Sequence, residues 1–347
     1  MIFLGDLACP EDKIDAFLDC INHIDVFKDE VVVINFEANI VDSTDERKKL
    51  TLYNLSRITE SFKQAKMVVA SLANNHMNDY PGKILETKNI LEKAGIKTFG
   101  LFENKIVEPL VFVNGNGEKI ALFGHCWRLY THTNMNCEND VRVVDYPYDV
   151  FANVVGAYIL ENPDVKVYCF MHWNYDLESL PFPVHRKLSK KLIDLGVEGV
   201  IGNHSHRPQG IEIYKGKLIA YCLGNFYLPS GCYYGGNLSY PECSKKTYGI
   251  RIDNSVCDRL WFDTDKSEND LPVCLTSVEK DIVCHHDFAD YIDLDDKAYL
   301  DFFKKHRTKR FLVPVFTELG GLKMACQEKW AIQRVKMLRQ IKRWMHK

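Results

Sequence analysis

The strongest constraint on this chain is a pattern that recurs five times. A short apolar run ends in a residue able to hold a metal or move a proton. Met1–Gly5 runs into Asp6, Val31–Ile34 into Asn35-Phe36-Glu37, and Met67–Leu72 into Ala73-Asn74-Asn75-His76, with Asp79 shortly after. Val165–Phe170 leads to His172-Trp173, and Gly199–Gly202 to Asn203-His204-Ser205-His206. Such runs, rich in Val and Ile, suit strands buried on both faces. Helical spacing falls between them: Ile14, Phe17, Leu18 and Ile21 within Glu11–Ile24, an amphipathic Leu50–Gln64, Pro81–Ala94 with proline near its start, Asp149–Glu161, and Val184–Leu195. Asn114-Gly115-Asn116-Gly117 between Ile106–Val113 and Glu118–Gly124 predicts a hairpin, as does Lys215-Gly216 between Ile211–Tyr214 and Leu218–Leu223. Helices alternating with buried strands, plus hairpins, predict an α/β fold with mixed sheets. In such sheets ligands bind beyond the carboxyl ends of the strands, where all five polar endings would lie.

Composition excludes several classes. A length of 347 residues suggests about two domains. A net charge of −3 argues against a nucleic-acid partner. No apolar stretch approaches the ~20 residues of a membrane span. Met1–Asp6 lacks the basic and long apolar regions of a secretory signal, so a cytoplasmic location is expected. The 12 cysteines include no C-x-x-C and read as free thiols in a reducing compartment. No G-x-G-x-x-G follows an early strand, which excludes a dinucleotide-binding oxidoreductase.

The end of the chain differs in charge. Asp258–Asp301 carries 13 acidic and 4 basic residues, and Phe302–Lys347 carries 13 basic and 2 acidic. The two blocks are expected to neutralise each other within one appendage. Trp330–Lys347 reads as an amphipathic helix, with Trp330, Met337, Leu338, Ile341, Trp344 and Met345 on one side among seven basic residues counted from Lys329. It either packs on its own domain or makes peripheral contact with an anionic membrane surface.

Oxygen and nitrogen ligands without thiolate suit manganese, iron or zinc. A carboxylate shared by two ions and flanked by His and Asn is the chemistry of two-metal hydrolysis. The chain resembles the CapA (poly-γ-glutamate/capsule biosynthesis) family, a branch of the calcineurin-like metallophosphoesterases. The matching segments are Gly5-Asp6-Leu7, Asn35-Phe36-Glu37, Ala73 through Asp79, Met171-His172-Trp173, Ile201 through His206, Pro208-Gln209-Gly210 and Tyr221 through Phe226, within roughly residues 1–250. The resemblance implies a four-layer αββα sandwich, assigned to residues 1–255, and the remaining residues 256–347 are expected to form a C-terminal α+β extension. It implies one metal held by Asp6, Glu37 and His206, and a second held by Glu37, Asn75, His172 and His204. His76 would be the general acid, oriented by Asp79, since an imidazole with a pKa near ~6.5 can protonate an alkoxide at neutral pH.

Three departures stand out. Ala8 occupies the position where the wider phosphoesterases carry a His ligand, Glu37 replaces their bridging Asp, and Asn203 and Ser205 alter the Gly-His-His-Pro-His run while keeping His204 and His206. Asn74, Arg207 and His125 are candidate substrate contacts. Gly231–Tyr240 is a candidate aromatic loop beside the substrate, and His285-His286 is read as structural. The expected function is a metal-dependent, phosphoesterase-type hydrolase in capsule or other cell-surface polymer biosynthesis, using one or two divalent ions on an anionic small-molecule or polymer substrate. The alternative, which Ala8 favours, is a catalytically weak module that binds an anionic polymer or serves as an accessory of a polymer-synthesis complex.

Overall fold

The computed structural model describes residues 1–103, 107–131, 141–253, 256–265, 271–285 and 291–345, without side chains at 284–285 and 339–345. Ile106 and His286 lie outside the described residues, as do the side chains of His285, Ile341, Trp344 and Met345.

Sixteen strands are present among the described residues: β1 Ile2–Leu7, β2 Val31–Phe36, β3 Met67–Ser71, β4 Lys97–Phe99, β5 Leu101–Phe102, β6 Leu110–Val113, β7 Lys119–Cys126, β8 Arg142–Val143, β9 Lys166–His172, β10 Gly199–Asn203, β11 Ile211–Tyr214, β12 Lys217–Ala220, β13 Asn225–Tyr227, β14 Lys246–Asp253, β15 Val256–Thr264 and β16 Val273–Glu279. An eight-stranded sheet has the order β16-β15-β14-β1-β2-β3-β4, with β13 also paired to β1. A six-stranded sheet has the order β11-β12-β10-β9-β7-β6, and β5 pairs with β8.

Strand side chains alternate between faces, and that alternation builds the layers. In β1 and β2, Phe3, Val31 and Val33 face a shared core with Ile120, Leu122, Tyr168, Phe170 and Ile201 of the second sheet. The intervening Ile2, Leu4, Val32 and Ile34 pack outward with Ile14, Phe17, Leu18 and Ile21 of the helix Ile14–Ile21 and with Ile84 and Leu91 of the helix Ile84–Lys93. Ala121, Phe123, Val167, Cys169 and Met171 pack outward from the second sheet against helices Tyr148–Glu161, Pro183–Asp194, Asp296–His306 and Gly321–Met345. Helices thus flank two facing sheets in a four-layer αββα sandwich, as the resemblance implies.

The hairpin strands β14 and β15 pair from Lys246–Asp263 to Asp253–Val256, so the first sheet continues across the boundary drawn at residue 255. Leu50–Gln64 contains only a 3₁₀ turn, Ser56–Glu60. Its backbone is drawn into tertiary pairing instead: Val41 N donates to Asn54 O at 2.9 Å and Asn54 N to Asn39 O at 2.8 Å.

The rest of the extension closes over the second sheet's outer helices. Arg186, 1% exposed, donates to Glu212 Oε2 at 2.9 Å and to the carbonyls of Ile292 and Leu294 at 2.6 and 2.7 Å. Glu178, fully buried, accepts from the backbone N–H groups of Thr308 and Lys309 at 2.9 and 2.8 Å. The helix Gly321–Met345 buries Met324, Glu328 and Ala331 on the body, so its first half is a packing helix. Lys304–Asp301 at 3.8 Å joins the acidic and basic blocks, whereas Asp258 pairs with Arg251 and Lys280 within the sheet edge. No helix among the described residues is long and apolar enough to cross a membrane.

Candidate metal centre

Register brings the polar strand endings together. Asp6 pairs with Asn35 on one side and Asn225 on the other, and Asn203 pairs with His172. The approach is close: a Cβ on Gly5 would lie 1.8 Å from Gly224 O, and one on Gly202 2.0 Å from Tyr221 O, so only glycine fits before Asp6 and Asn203. His204 and His206 have φ of 91° and 54°, a left-handed conformation that costs a non-glycine residue ~1–3 kcal/mol. The site over-determines it. His204 N donates to Asp6 Oδ2 at 3.3 Å, and Leu177 N donates to the intervening Ser205 O at 2.7 Å.

The six expected ligands converge. Asp6, Glu37 and His172 present ligand atoms within 4.8 Å of one another, as do Glu37, His204 and His206. Asn75 Oδ1 lies 2.6 Å from His172 Nε2. His206 Nδ1 lies 2.8 Å from Asn225 Oδ1 and 3.2 Å from Asp6 Oδ2. Glu37 shows most directly what the site fits. It is fully buried, and its Oε1 has no hydrogen-bond partner among the described residues. The Nε2 atoms of His172, His76 and His206 surround that oxygen at 3.8, 3.9 and 3.9 Å. These separations are too long for hydrogen bonds, yet shorter than twice a metal–ligand distance of ~2.1 Å. Both nitrogens of His204 are likewise without a hydrogen-bond partner among the described residues, although Nε2 is 3.2 Å from Asp176 Oδ1. A buried carboxylate oxygen and imidazole nitrogens left without partners fit a divalent cation.

The electrostatics agree. Burial and the adjacent Asp6 carboxylate push the Glu37 carboxyl well up from its ordinary value. Burial also opposes the Asp6 carboxylate, but its hydrogen bond to His206 prevails and holds it down. His206 is raised by the same contact in spite of its burial. Burial lowers His204 to about 4 and pushes His172 down, with the neighbouring His204 adding to the latter. Two carboxylates crowded beside the lowered imidazoles of His172 and His204 form a site that a positive ion relieves.

His76 Nδ1 is 2.8 Å from Asp79 Oδ2, which also accepts from Leu52 N at 3.1 Å. The carboxylate therefore fixes the ring with its Nε2 toward Glu37. A cavity of about 360 Å³ opens over Asn75, His76, His204 and His206, and its other walls include Tyr130, Asp176, Tyr234 and Tyr240. The aromatic Gly231–Tyr240 loop does flank the site.

The three candidate substrate contacts fare differently. Asn74 is fully buried and caps a 3₁₀ turn, accepting from Met77 N at 3.2 Å and donating to Phe36 O at 2.9 Å, so it is a scaffold residue. His125 has the same strand parity as Ala121 and Phe123, which turns it into the outer core. There its Nε2 lies 2.8 Å from Tyr146 O and its ring 4.5 Å from that of Phe151, away from the cavity. Arg207 is half-buried and is not among the residues lining the cavity.

Sequence reasoning missed Asn35 as an organiser. Its Nδ2 is 2.7 Å from Asp6 Oδ1, 2.9 Å from Glu37 Oε2 and 3.2 Å from His172 Nδ1. Strand pairing opposite Asp6 was the available signal. Asp176 and Tyr130 had none, because a loop places the first and the one-turn helix Arg128–Thr131 the second. Ala8 is buried among Ala38, Leu52, Leu228 and Tyr233, an apolar cluster.

Fold and site together define a four-layer αββα protein with a candidate metal centre at the shared sheet edge. The bacterial capsule synthesis protein PGA_cap family matches residues 15–230, and the chain belongs to this family. It is 29% identical over 194 residues to a capsule biosynthesis protein CapA of Bacillus anthracis, covering 53% of this chain and 46% of that protein. It is 35% identical over 214 residues to a PGA biosynthesis protein CapA of Bacillus subtilis, covering 58% and 54%. The chain thus spans about half the length of these curated relatives. Among solved structures, a Haemophilus influenzae NAD nucleotidase aligns over 96% of this chain and 60% of its own, with a TM-score of 0.42 and 13% identity.

Proposed function

We propose that the chain is a metal-dependent hydrolase of the phosphoesterase type that acts in capsule or other cell-surface polymer biosynthesis. The observation that carries this reading is the orphaned, buried Glu37 Oε1 ringed by three imidazole nitrogens beside an open cavity. Asp6, Glu37, Asn75, His172, His204 and His206 would hold one or two divalent ions, which supply Lewis acidity and an activated water when bound. Asn35 orients Asp6, Glu37 and His172. His76, held by Asp79 at the cavity wall, would give a proton to a leaving oxygen. Elemental analysis of purified protein, together with turnover of a panel of generic phosphoesters, tests the reading. It expects a stoichiometric manganese, iron or zinc and metal-dependent turnover. Metal-free protein that takes up none of these ions overturns it.

One observation favours a second reading. The apolar packing of Ala8 removes a nitrogen ligand from the Asp6 side of the centre. A protein that binds metal and an anionic polymer but turns over none of the phosphoesters would be an accessory module.

A further inference from the structure

A second cavity, of about 470 Å³, adjoins the metal centre, and Tyr130 and Asp176 line both. Its floor is apolar: Leu129, Val313, Ala331, Ile332 and Val335. Its rim is basic: Lys309, Arg334 and Lys336. Among the described residues none of these three cations has an ion pair with a carboxylate at salt-bridge distance. The rim is nonetheless built. Lys309 N is fixed by Glu178 Oε2 at 2.8 Å, and Arg334 Nε by Phe311 O at 2.7 Å. Val335 remains 40% exposed over the cavity. The acidic Asp176 on the shared wall faces His204 Nε2 at 3.2 Å on its other side.

An apolar floor beneath a basic rim, opening beside a phosphoesterase-type centre, matches one chemistry: an anionic phosphate joined to an aliphatic chain. We propose that this cavity binds the aliphatic part of an amphiphilic phosphoester, with Lys309, Arg334 and Lys336 facing its anionic charge and the wall shared at Tyr130 leading to the metal centre. The inference rests on the phosphoesterase reading for the direction of the phosphate. It goes beyond that reading in assigning the C-terminal helix a substrate-binding surface.

Calorimetric titration of the full chain tests it, with ethyl phosphate, octyl phosphate and octyl glucoside as probes below their micellar concentrations. Each methylene buried adds about fourfold in affinity, so octyl phosphate is expected to bind at least about tenfold tighter than ethyl phosphate. Octyl glucoside, with the same tail and no charge, should bind far more weakly. Val335→Glu should abolish the octyl advantage and Lys309→Glu should weaken both alkyl phosphates, while the melting temperature of each variant stays unchanged. Equal affinity for ethyl and octyl phosphate, equal affinity for octyl glucoside, or wild-type octyl phosphate binding in both folded variants overturns the proposal. The two readings fail separately. Tight, variant-sensitive octyl phosphate binding without any phosphoester turnover keeps the cavity and removes the hydrolase. Turnover that ignores chain length, with equal binding, does the reverse.

Discussion

The candidate metal centre and the basic cleft beside it share two lining residues but are built in opposite ways. At the centre, strand register does the placing. Asp6, Asn35 and Asn225 sit side by side on paired strands, and His172 and Asn203 do the same in the other sheet. The residues are buried and tied to one another. In the cleft, the groups ride on a loop and a helix that reach the body through a few strong anchors, Arg186 and Glu178 foremost. Chemistry that tolerates little misplacement is carried by the rigid edge, and the surface that could adapt to a ligand is carried by the appended segment.

The largest effect should come from the centre. Glu37→Gln removes the charge at the shared position, and loss of metal-based charge stabilisation costs several kcal/mol, on the order of 10³-fold in turnover. Elemental analysis should show metal content falling with activity, and chelator treatment of the wild type should give the same loss. Full occupancy with full activity would break the contrast at its root. The cleft's counterpart is Glu212→Ala. It strands the buried Arg186 and removes the acceptor of Tyr221 Oη, at 2.7 Å, and of Lys190, at 3.0 Å. Removing one partner of a buried pair costs about 3–5 kcal/mol. Chemical denaturation should register that loss while bound metal is retained by the folded fraction.

His76→Ala sharpens the comparison within the centre itself. A positioned general acid contributes about 10²–10⁴-fold, so turnover should fall by that factor with metal content unchanged. Metal loss in this variant would make His76 a ligand instead.

Much of the centre was legible because a strand ending is a local signal. Asp6, Glu37, Asn75, His172, His204 and His206 each follow an apolar run, and the fold needs only to align those runs. Asp176 was not legible. Its loop turns on Asn174 and Leu177 at φ of 79° and 59°, and it is braced by Glu178 against residues far along the chain. Leu50–Gln64 has helical periodicity, yet pairing of Asn54 with Asn39 and Val41 overrides it.

Asn35 predicts a smaller effect. Its amide bridges Asp6 and Glu37, and its own carbonyl lies 3.4 Å from Asn74 Nδ2. Outer-shell partners of this kind are worth about 10–100-fold in metal affinity. Asn35→Ala should weaken metal binding by that factor in a competition titration without abolishing it. An unchanged affinity would mean that strand register alone fixes the ligands.

The smallest effect belongs to His125, where counting along the strand corrects the reading from position alone. Position at a strand end suggests a cavity residue, but parity with Ala121 and Phe123 sends the ring into the outer core, fully buried beside Tyr148 and Phe151. Burial lowers its pKa from 6.5 to about 4. The folded state therefore binds this proton less readily than the unfolded chain. The sign follows: stability is fully present above the unfolded value and declines as pH falls through 6.5 toward 4. At pH 6 the contribution is below about 1 kcal/mol, and it grows with further acidification. His125→Gln keeps a donor for Tyr146 O and removes the titration. Its denaturation midpoint should therefore fall less steeply than the wild type's between pH 7 and about 5. Phosphoester turnover at neutral pH should not change. A loss of turnover with no change in acid sensitivity would return His125 to the cavity and undo the division between site and core.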